Sequence, residues 1–311
     1  MGGIGVVYNP YAGRNRKNPG REERLKKILG NRGTWFRTEN KDSLLNAAAY
    51  FLEQKTDIVA VSGGDGTLHQ VFTAIINTYG DRPLPAFALL RSGTMNTVTK
   101  SIKLKGCAAS TLRAIIDHHE TGKPIKKFKQ HLLRVNDVYG FMAGAGVIAY
   151  FLEVYYSAKH SGPPYAAAMV CRMIGSAIFG TDYNSRIFRP IRCRLEVDGR
   201  EMEQAEYIFV LGCTIREIGL GFTPTPRAYD KPGHFHLLAG SMSPANLVPK
   251  VPALWMGRDI EHPNLHFSGT TARVVMKPRE KEPWMIDGDI YTTEGPLCFS
   301  VGPTVTLLGK A

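Results

Sequence analysis

With 311 residues, 43% of them hydrophobic and 21% charged, the chain is long enough for about two domains and too balanced to be disordered or fibrous. Its 39 Lys and Arg against 27 Asp and Glu leave a formal charge of +12, which attracts nucleotides, nucleic acid or anionic headgroups. Five cysteines without a C-x-x-C pair argue against a disulfide framework and a zinc site, and suit free thiols in a reducing cytoplasm.

Ile4 to Tyr8 is a short apolar run ended by Asn9-Pro10, which predicts a buried strand running into a loop. No signal peptide is read ahead of it, so a cytoplasmic protein is expected. Met1-Gly2-Gly3 is not a myristoylation signal, because Val6 stands where a hydroxyl residue is required. Arg21 to Leu29 has helical spacing, and Thr34 to Arg37 predicts a second strand. Ser43 to Phe51 predicts an Ala- and Leu-rich helix with Asp42 as its cap. Asp57 to Val61 predicts a third strand, which runs through Ser62-Gly63-Gly64-Asp65-Gly66-Thr67 into a helix from Leu68 to Asn77. Ala86 to Leu90 predicts a fourth strand, closed by Arg91-Ser92-Gly93-Thr94, and a helix covers Ala108 to His118. Strands alternating with helices imply a parallel sheet whose ligands bind at the carboxyl ends of its strands. The loops after the first, third and fourth strands all lie at such ends.

The pattern changes near residue 125. Short alternating segments follow, among them Gln130 to Val135, Ile191 to Val197, Tyr207 to Leu211, His234 to Leu238 and Thr271 to Met276. They predict an antiparallel sandwich, interrupted by helical passages at Val147 to Lys159 and Pro244 to Gly257. The most apolar stretch, Tyr165 to Phe179, carries Arg172 and is short for a bilayer span, so no transmembrane helix is predicted. Together with Tyr150 to Tyr156 it is expected to be sandwich core, with an acyl-chain channel as the alternative.

The sharpest chemical signal is Gly63-Gly64-Asp65-Gly66-Thr67 between a strand and a helix. Its glycines are expected to turn backbone N–H groups inward onto an anion, and the helix adds its positive end. Thr67 offers a hydroxyl to phosphate. Asp65 suits a bound cation or an orienting role, since a bare phosphate would repel it. The motif is neither a Walker loop nor the dinucleotide fingerprint.

This pentapeptide resembles the nucleotide loop shared by diacylglycerol kinases, sphingosine kinases and NAD kinases. Asn9-Pro10-Tyr11-Ala12-Gly13, Ser92-Gly93-Thr94-Met95-Asn96 and Asp287-Gly288-Asp289 resemble, in order, three further motifs of the lipid kinases. Gly219-Leu220-Gly221 with Pro224 and Ala228, and Leu254 to Gly257 before His262-Pro263, also follow the layout of the diacylglycerol kinase catalytic family.

The resemblance implies a Rossmann-like α/β nucleotide domain over 1–125, rejoined by about 300–311, and an antiparallel β-sandwich lipid-substrate domain over 126–299. It implies ATP as phosphate donor, magnesium, and a lipid acceptor met at the membrane surface, with a homodimer open and no nucleic acid. Asn9, Thr38, Gly63, Gly64, Asp65, Gly66, Thr67, Leu68, His69 and Thr94 are the implied nucleotide contacts. Arg14, Arg16 and Lys17 could neutralise phosphate. Asp287 is the implied general base, although Asp-Gly alone reads as a hairpin turn. Asp65 and Asp289 complete the catalytic candidates, and Asp65 and Asp230 are the metal candidates.

The departures are specific. His69 and Gln70 replace an Asn-Glu pair, Arg91 replaces a Pro, and Asp289 replaces a Glu. Around Asp230, Tyr229 and Pro232 stand where two aspartates of a structural magnesium site belong, so that site is expected to be lost or rebuilt. The leading reading is an ATP-dependent kinase of diacylglycerol or a related lipid. The alternatives are a catalytically weak lipid- or nucleotide-binding protein of the same fold and an NAD kinase.

Overall fold

The computed structural model describes residues 2–93, 101, 106–158, 162–219 and 221–309. The chain divides into two compact units, one made of Met1–His131 with Pro303–Ala311, the other of Leu132–Gly302.

In the first unit, strands β1 (Ile4–Tyr8), β2 (Gly33–Arg37), β3 (Ile58–Ser62) and β4 (Ala86–Leu89) are parallel, in the order β4-β3-β1-β2. Short helix α1 (Gly13–Lys17) and helix α2 (Gly20–Leu29) follow β1. Helices α3 (Lys41–Glu53), α4 (Asp65–Tyr79) and α5 (Ala108–Thr121) follow the other strands. Alternate strand residues face opposite ways, so one sheet can bury two helical layers. Ile4, Val6, Ile58, Ala60 and Ala88 pack with Leu25 and Leu29 of α2 and with Leu112, Ile115 and Ile116 of α5. On the other side Phe36 meets Phe51 of α3, and Phe87 meets Phe72 of α4 edge-on at 4.8 Å.

Helix α3 corrects one expectation. Its cap is Asn40, whose extended backbone lets the side chain accept from Ser43 N at 2.8 Å while the Ser43 hydroxyl accepts from Asn40 N. Asp42 already lies inside the first turn.

The second unit is a sandwich. One antiparallel sheet has the order β13-β12-β11-β7-β15-β16, formed by Leu265–Thr271, Phe235–Gly240, Phe209–Cys213, Met142–Gly146, Pro283–Ile286 and Asp289–Thr292. The other contains β8 (Ile191–Val197), β14 (Arg273–Pro278) and the start of β17 (Leu297–Gly309), with the short strands β9 (Arg200–Glu201) and β10 (Glu206–Tyr207) beside β8, and with β5 (Lys126–Val135) pairing with β17 and with β6 (Val138–Gly140). Leu195, Val274, Met276 and Phe299 of the second sheet pack against Val210, Phe235, Leu237 and Ile286 of the first. The opposite face of the first sheet is also covered: Leu211, Leu238 and Met285 pack with Leu254 and with Val147, Ile148 and Leu152. Burial on both faces explains why β11 and β12 are buried at every position, with His236 the one polar side chain of the two, whereas β8 alternates. The far end of β17 lies in the first unit, where Leu307 and Leu308 pair in parallel with Phe87 and Ala88 of β4. The expected fold class, an α/β unit plus an antiparallel β unit, is borne out.

Helix α6 (Val147–Ser157) and the passage α8 (Pro244–Leu247), a 3-10 turn and α9 (Val251–Trp255) occupy the two predicted helical stretches. The expectation of core packing for Tyr165 to Phe179 is corrected. That stretch is the larger part of α7 (Pro163–Phe179), in which only Ala166, Met169 and Ser176 are buried. Phe179 is 82% exposed and Ile178 66%. Proline at the first helical position has its φ preset, which is why Gly162-Pro163-Pro164 opens the helix. Among the described residues no helix is long and apolar enough to cross a membrane.

Candidate active site

Three loops meet at the carboxyl ends of β1, β3 and β4. Asn9 N donates to Ser62 O at 3.1 Å, and Asn9 Nδ2 donates to Thr67 Oγ1 at 2.8 Å. Asn9 Oδ1 accepts from Tyr11 N at 2.9 Å, which fixes the turn that follows. Ser92 N donates to Gly63 O at 3.0 Å, and the Ser62 and Ser92 hydroxyls are 2.9 Å apart. Thr38, at the end of β2, donates its N–H to Tyr8 O at 2.9 Å and is buried.

The glycine motif works differently from its sequence reading. Only Gly63 and Gly64 form the turn, and Asp65, Gly66 and Thr67 are the first helical residues of α4. Gly64 is the N-cap, in an extended conformation, and none of the three glycines has positive φ. Leu68 N is bonded to Gly64 O at 3.0 Å, so the three preceding amides have no carbonyl within the helix. Gly63 and Gly64 are favoured by close approach. A Cβ on Gly63 would lie 2.3 Å from Thr67 Cβ, and one on Gly64 would lie 3.0 Å from Gly93 Cα.

Asp65 occupies the first position of α4, where a carboxylate also favours the helix dipole. Leu68 and His69 are buried within α4 packing. Thr94, Met95 and Asn96 lie outside the described residues. Arg14, Arg16 and Lys17 are exposed, and Arg14 N donates to Ser92 O at 2.9 Å. Arg91 has φ +44°, a value closed to proline, so replacement of the expected Pro accompanies a rebuilt turn.

The residue that sequence reading missed is Asn15. It is 2% exposed, and its Nδ2 donates to Asn9 O at 2.8 Å and to Ser62 O at 3.0 Å, tying the first loop to the third strand. It is the one uncharged residue in Arg14-Asn15-Arg16-Lys17, which was its only signal. Arg21 was missed for a similar reason: its NH2 group donates to Leu90 O and to Ser92 Oγ, each at 3.1 Å.

In the second unit, Asp287 and Gly288 are the two central residues of the β15–β16 hairpin, with φ +46° and +92°. Both positive angles match the turn type that Asp-Gly favours. The turn is also a carboxylate mount. Asp287 is 3% exposed, and its Oδ1 accepts from Phe141 N and Met142 N, both at 3.0 Å. Its Oδ2 accepts from Phe141 N at 3.1 Å, and its own N–H donates to Met142 O at 3.0 Å. A side chain on Gly140 would strike Asp287 Oδ2 at 2.7 Å, so glycine is needed there. Asp289 is half-buried and begins β16.

Asp230 stands apart from this hairpin in sequence and in pairing. It is an exposed turn residue 3.9 Å from the Arg216 guanidinium, which stacks over Tyr229 at 5.2 Å. A carboxylate with a guanidinium as counter-charge does not fit a separate magnesium site. Among the described residues no three His, Cys, Asp or Glu gather as a metal cluster.

Residues 3–127 match the family model of the diacylglycerol kinase catalytic domain. That match bears out the resemblance carried by the motifs within those residues. A diacylglycerol kinase of Staphylococcus saprophyticus is 25% identical over 270 residues, spanning 84% of this chain and 81% of its own. One from Staphylococcus carnosus is 23% identical over 291 residues, spanning 91% and 87%. The crystal structure of a diacylglycerol kinase from Bacillus anthracis superposes with a TM-score of 0.66 at 14% identity, covering 99% of this chain and 97% of that one. At that identity the likeness establishes the fold.

Proposed function

We propose that this protein is a lipid kinase that transfers a phosphoryl group from ATP to a hydroxyl of diacylglycerol or a related lipid. The observation that carries the reading is the three-loop cradle at the strand ends, with the first turn of α4 at its centre. The N-terminal end of a helix, through its amides and its dipole, suits a polyphosphate. Thr67 Oγ1 already accepts a bond from Asn9, which leaves the hydroxyl proton to donate to a phosphate oxygen. Thr38 and the glycines border the same strand ends. Asp65 is the carboxylate of this cradle and would hold the magnesium that arrives with the triphosphate, an ion that offsets charge on the phosphate oxygens.

Asp287 is the proposed base. One of its oxygens takes the proton of the acceptor hydroxyl as the acceptor's own oxygen bonds to the γ-phosphorus and the bond from that phosphorus to the ADP oxygen breaks. The two backbone N–H donors fix the carboxylate's direction. Asp289, next on the hairpin, is proposed to assist. Exposed Ile178 and Phe179 on α7, with Trp255 and Met256 at the end of α9, support a surface that meets lipid.

A second reading, a binding protein of weak or no turnover, is favoured by the near-complete burial of Asp287. The test is transfer from labelled ATP with magnesium onto a lipid panel in mixed micelles, with NAD alongside. Phosphorylation of one lipid class supports the kinase and names its acceptor. ATP binding without transfer to any acceptor supports the second reading.

A further inference from the structure

Helices α2 and α5 lie side by side over one face of the first unit's sheet, and a groove runs between them. One part is a cavity of about 440 Å³ whose lining includes Arg24, Lys27, Arg32, Arg113 and Asp117. The other, about 260 Å³, includes Arg21, Arg24 and Cys107. Arg24 lines both, so the two cavities adjoin. The larger has the size of a small-molecule site, which runs from roughly 300 to 1,000 Å³.

The charge in this groove is unbalanced. The acids of α2 are engaged elsewhere: Glu22 and Glu23 pair with Lys26 at 3.1 and 3.4 Å. Arg32 faces Glu120 at 3.9 Å and donates its Nε to Leu29 O at the end of α2. Among the described residues, Arg24, Lys27 and Arg113 have no carboxylate partner. Arg21 is half-buried at one end, its Nε without a hydrogen-bond partner among the described residues. Burial, then Arg14 and other cations nearby, press its guanidinium below the usual arginine range. Cations held along a concave wall repel one another, and the wall focuses their field on whatever enters. Two arginines and a lysine around one hollow outweigh its one carboxylate, Asp117, and suit a dianion, and guanidinium forks match phosphate oxygens in pairs.

We infer that the α2–α5 groove is a binding site for a phosphate monoester, separate from the three-loop cradle. The same chemistry is offered by a phosphorylated lipid headgroup and by a soluble phosphate ester. Through Arg21, which also bonds to Leu90 and Ser92, the groove is connected to the loop after β4. The inference does not rest on the kinase reading, because binding is measured without turnover.

The test compares two triple variants of equal charge. One carries Arg24→Ala, Lys27→Ala and Arg113→Ala; the control carries Lys126→Ala, Lys127→Ala and Lys129→Ala. All six side chains are exposed, so both variants are expected to fold, and melting temperatures check this. Titration calorimetry with glycerol 3-phosphate is one arm. Sedimentation with phosphatidylcholine vesicles, with and without phosphatidic acid, is the other. The groove variant is expected to bind roughly tenfold or more weakly in at least one arm, with the control close to wild type. Loss in the soluble arm identifies a soluble ester, and loss in the vesicle arm alone identifies a headgroup. Arg113→Gln by itself is the milder second variant and should weaken the same arm. Equal weakening by the two triples, or no wild-type binding in either arm, overturns the inference.

Discussion

Asp287 combines a left-handed backbone, burial and three accepted backbone bonds, so its substitution tests chemistry and structure together. In Asp287→Asn the amide nitrogen would turn a donor toward Phe141 N or leave Met142 N unpaired, at a cost of about 1–3 kcal/mol. Turnover is expected to fall roughly 10²–10⁴-fold, the usual share of a general base. ATP affinity should stay near wild type, since the cradle lies in the other unit. A melting curve, calorimetry with an ATP analogue and the kinase assay separate the three effects. Loss of ATP binding with the fold intact would refute the assignment. Gly63→Ala is the counterpart in the cradle. Its methyl must displace the Thr67 side chain, so nucleotide binding should weaken and stability should drop by about 1–3 kcal/mol. These roles were only partly legible in the sequence. The motif named Asp287 and Gly63 by pattern, but it could not show that the Asp-Gly turn is hairpin and carboxylate mount at once. Asn15 gave almost no signal, because a buried amide that links two loops has no periodicity and no motif of its own.

At the scale of elements, strand positions followed from apolar runs, because the central parallel strands β1 and β3 are buried on both faces and leave no polar alternation to misread. Helix boundaries were less legible. Asp42 and Asn40 are both good cap residues, and the choice was made by backbone geometry that composition does not encode. Asn40→Ala should therefore cost about 1 kcal/mol in denaturant melts, and Asp42→Ala less, through the dipole alone. Equal costs would return the cap to Asp42. Helix α7 shows the opposite failure: its hydrophobicity suggested core, yet Ile178 and Phe179 lie in solvent. Changing both to Ser should leave the melting temperature almost unchanged while weakening sedimentation with lipid vesicles. A large loss of stability would instead mean that this helix end packs against protein in solution.

At the scale of the whole molecule, each unit carries its own core, and the sandwich unit holds a built-in acid sensitivity on the helix-covered face of its first sheet. His236 on β12 is fully buried, its Nδ1 accepting from Arg227 N at 3.1 Å. Its Nε2 has no partner among the described residues. Burial above all, with Arg227 acting the same way and Asp259 opposing, pushes its pKa from 6.5 down to about 4. The folded-state value is the lower one, so the unfolded chain takes up the proton first as pH falls. Stability of the sandwich unit should be unaffected above about pH 6.5 and should decline toward pH 4, by an amount on the order of 3 kcal/mol. His266, half-buried and shifted the same way by burial, acts in the same direction below about pH 6.5. Asp198, where burial raises the carboxyl but hydrogen bonds from residues 271–273, among them the Ala272 and Arg273 amides, hold it below its usual value, loses its contribution only at lower pH. The acid branch between pH 6.5 and 4 is therefore set mainly by one buried imidazole. His236→Gln removes the titrating group while keeping an acceptor for Arg227 N. Chemical melts across that range should show the wild-type slope flattened in the variant, and a slope that survives the substitution would assign the acid sensitivity to other groups.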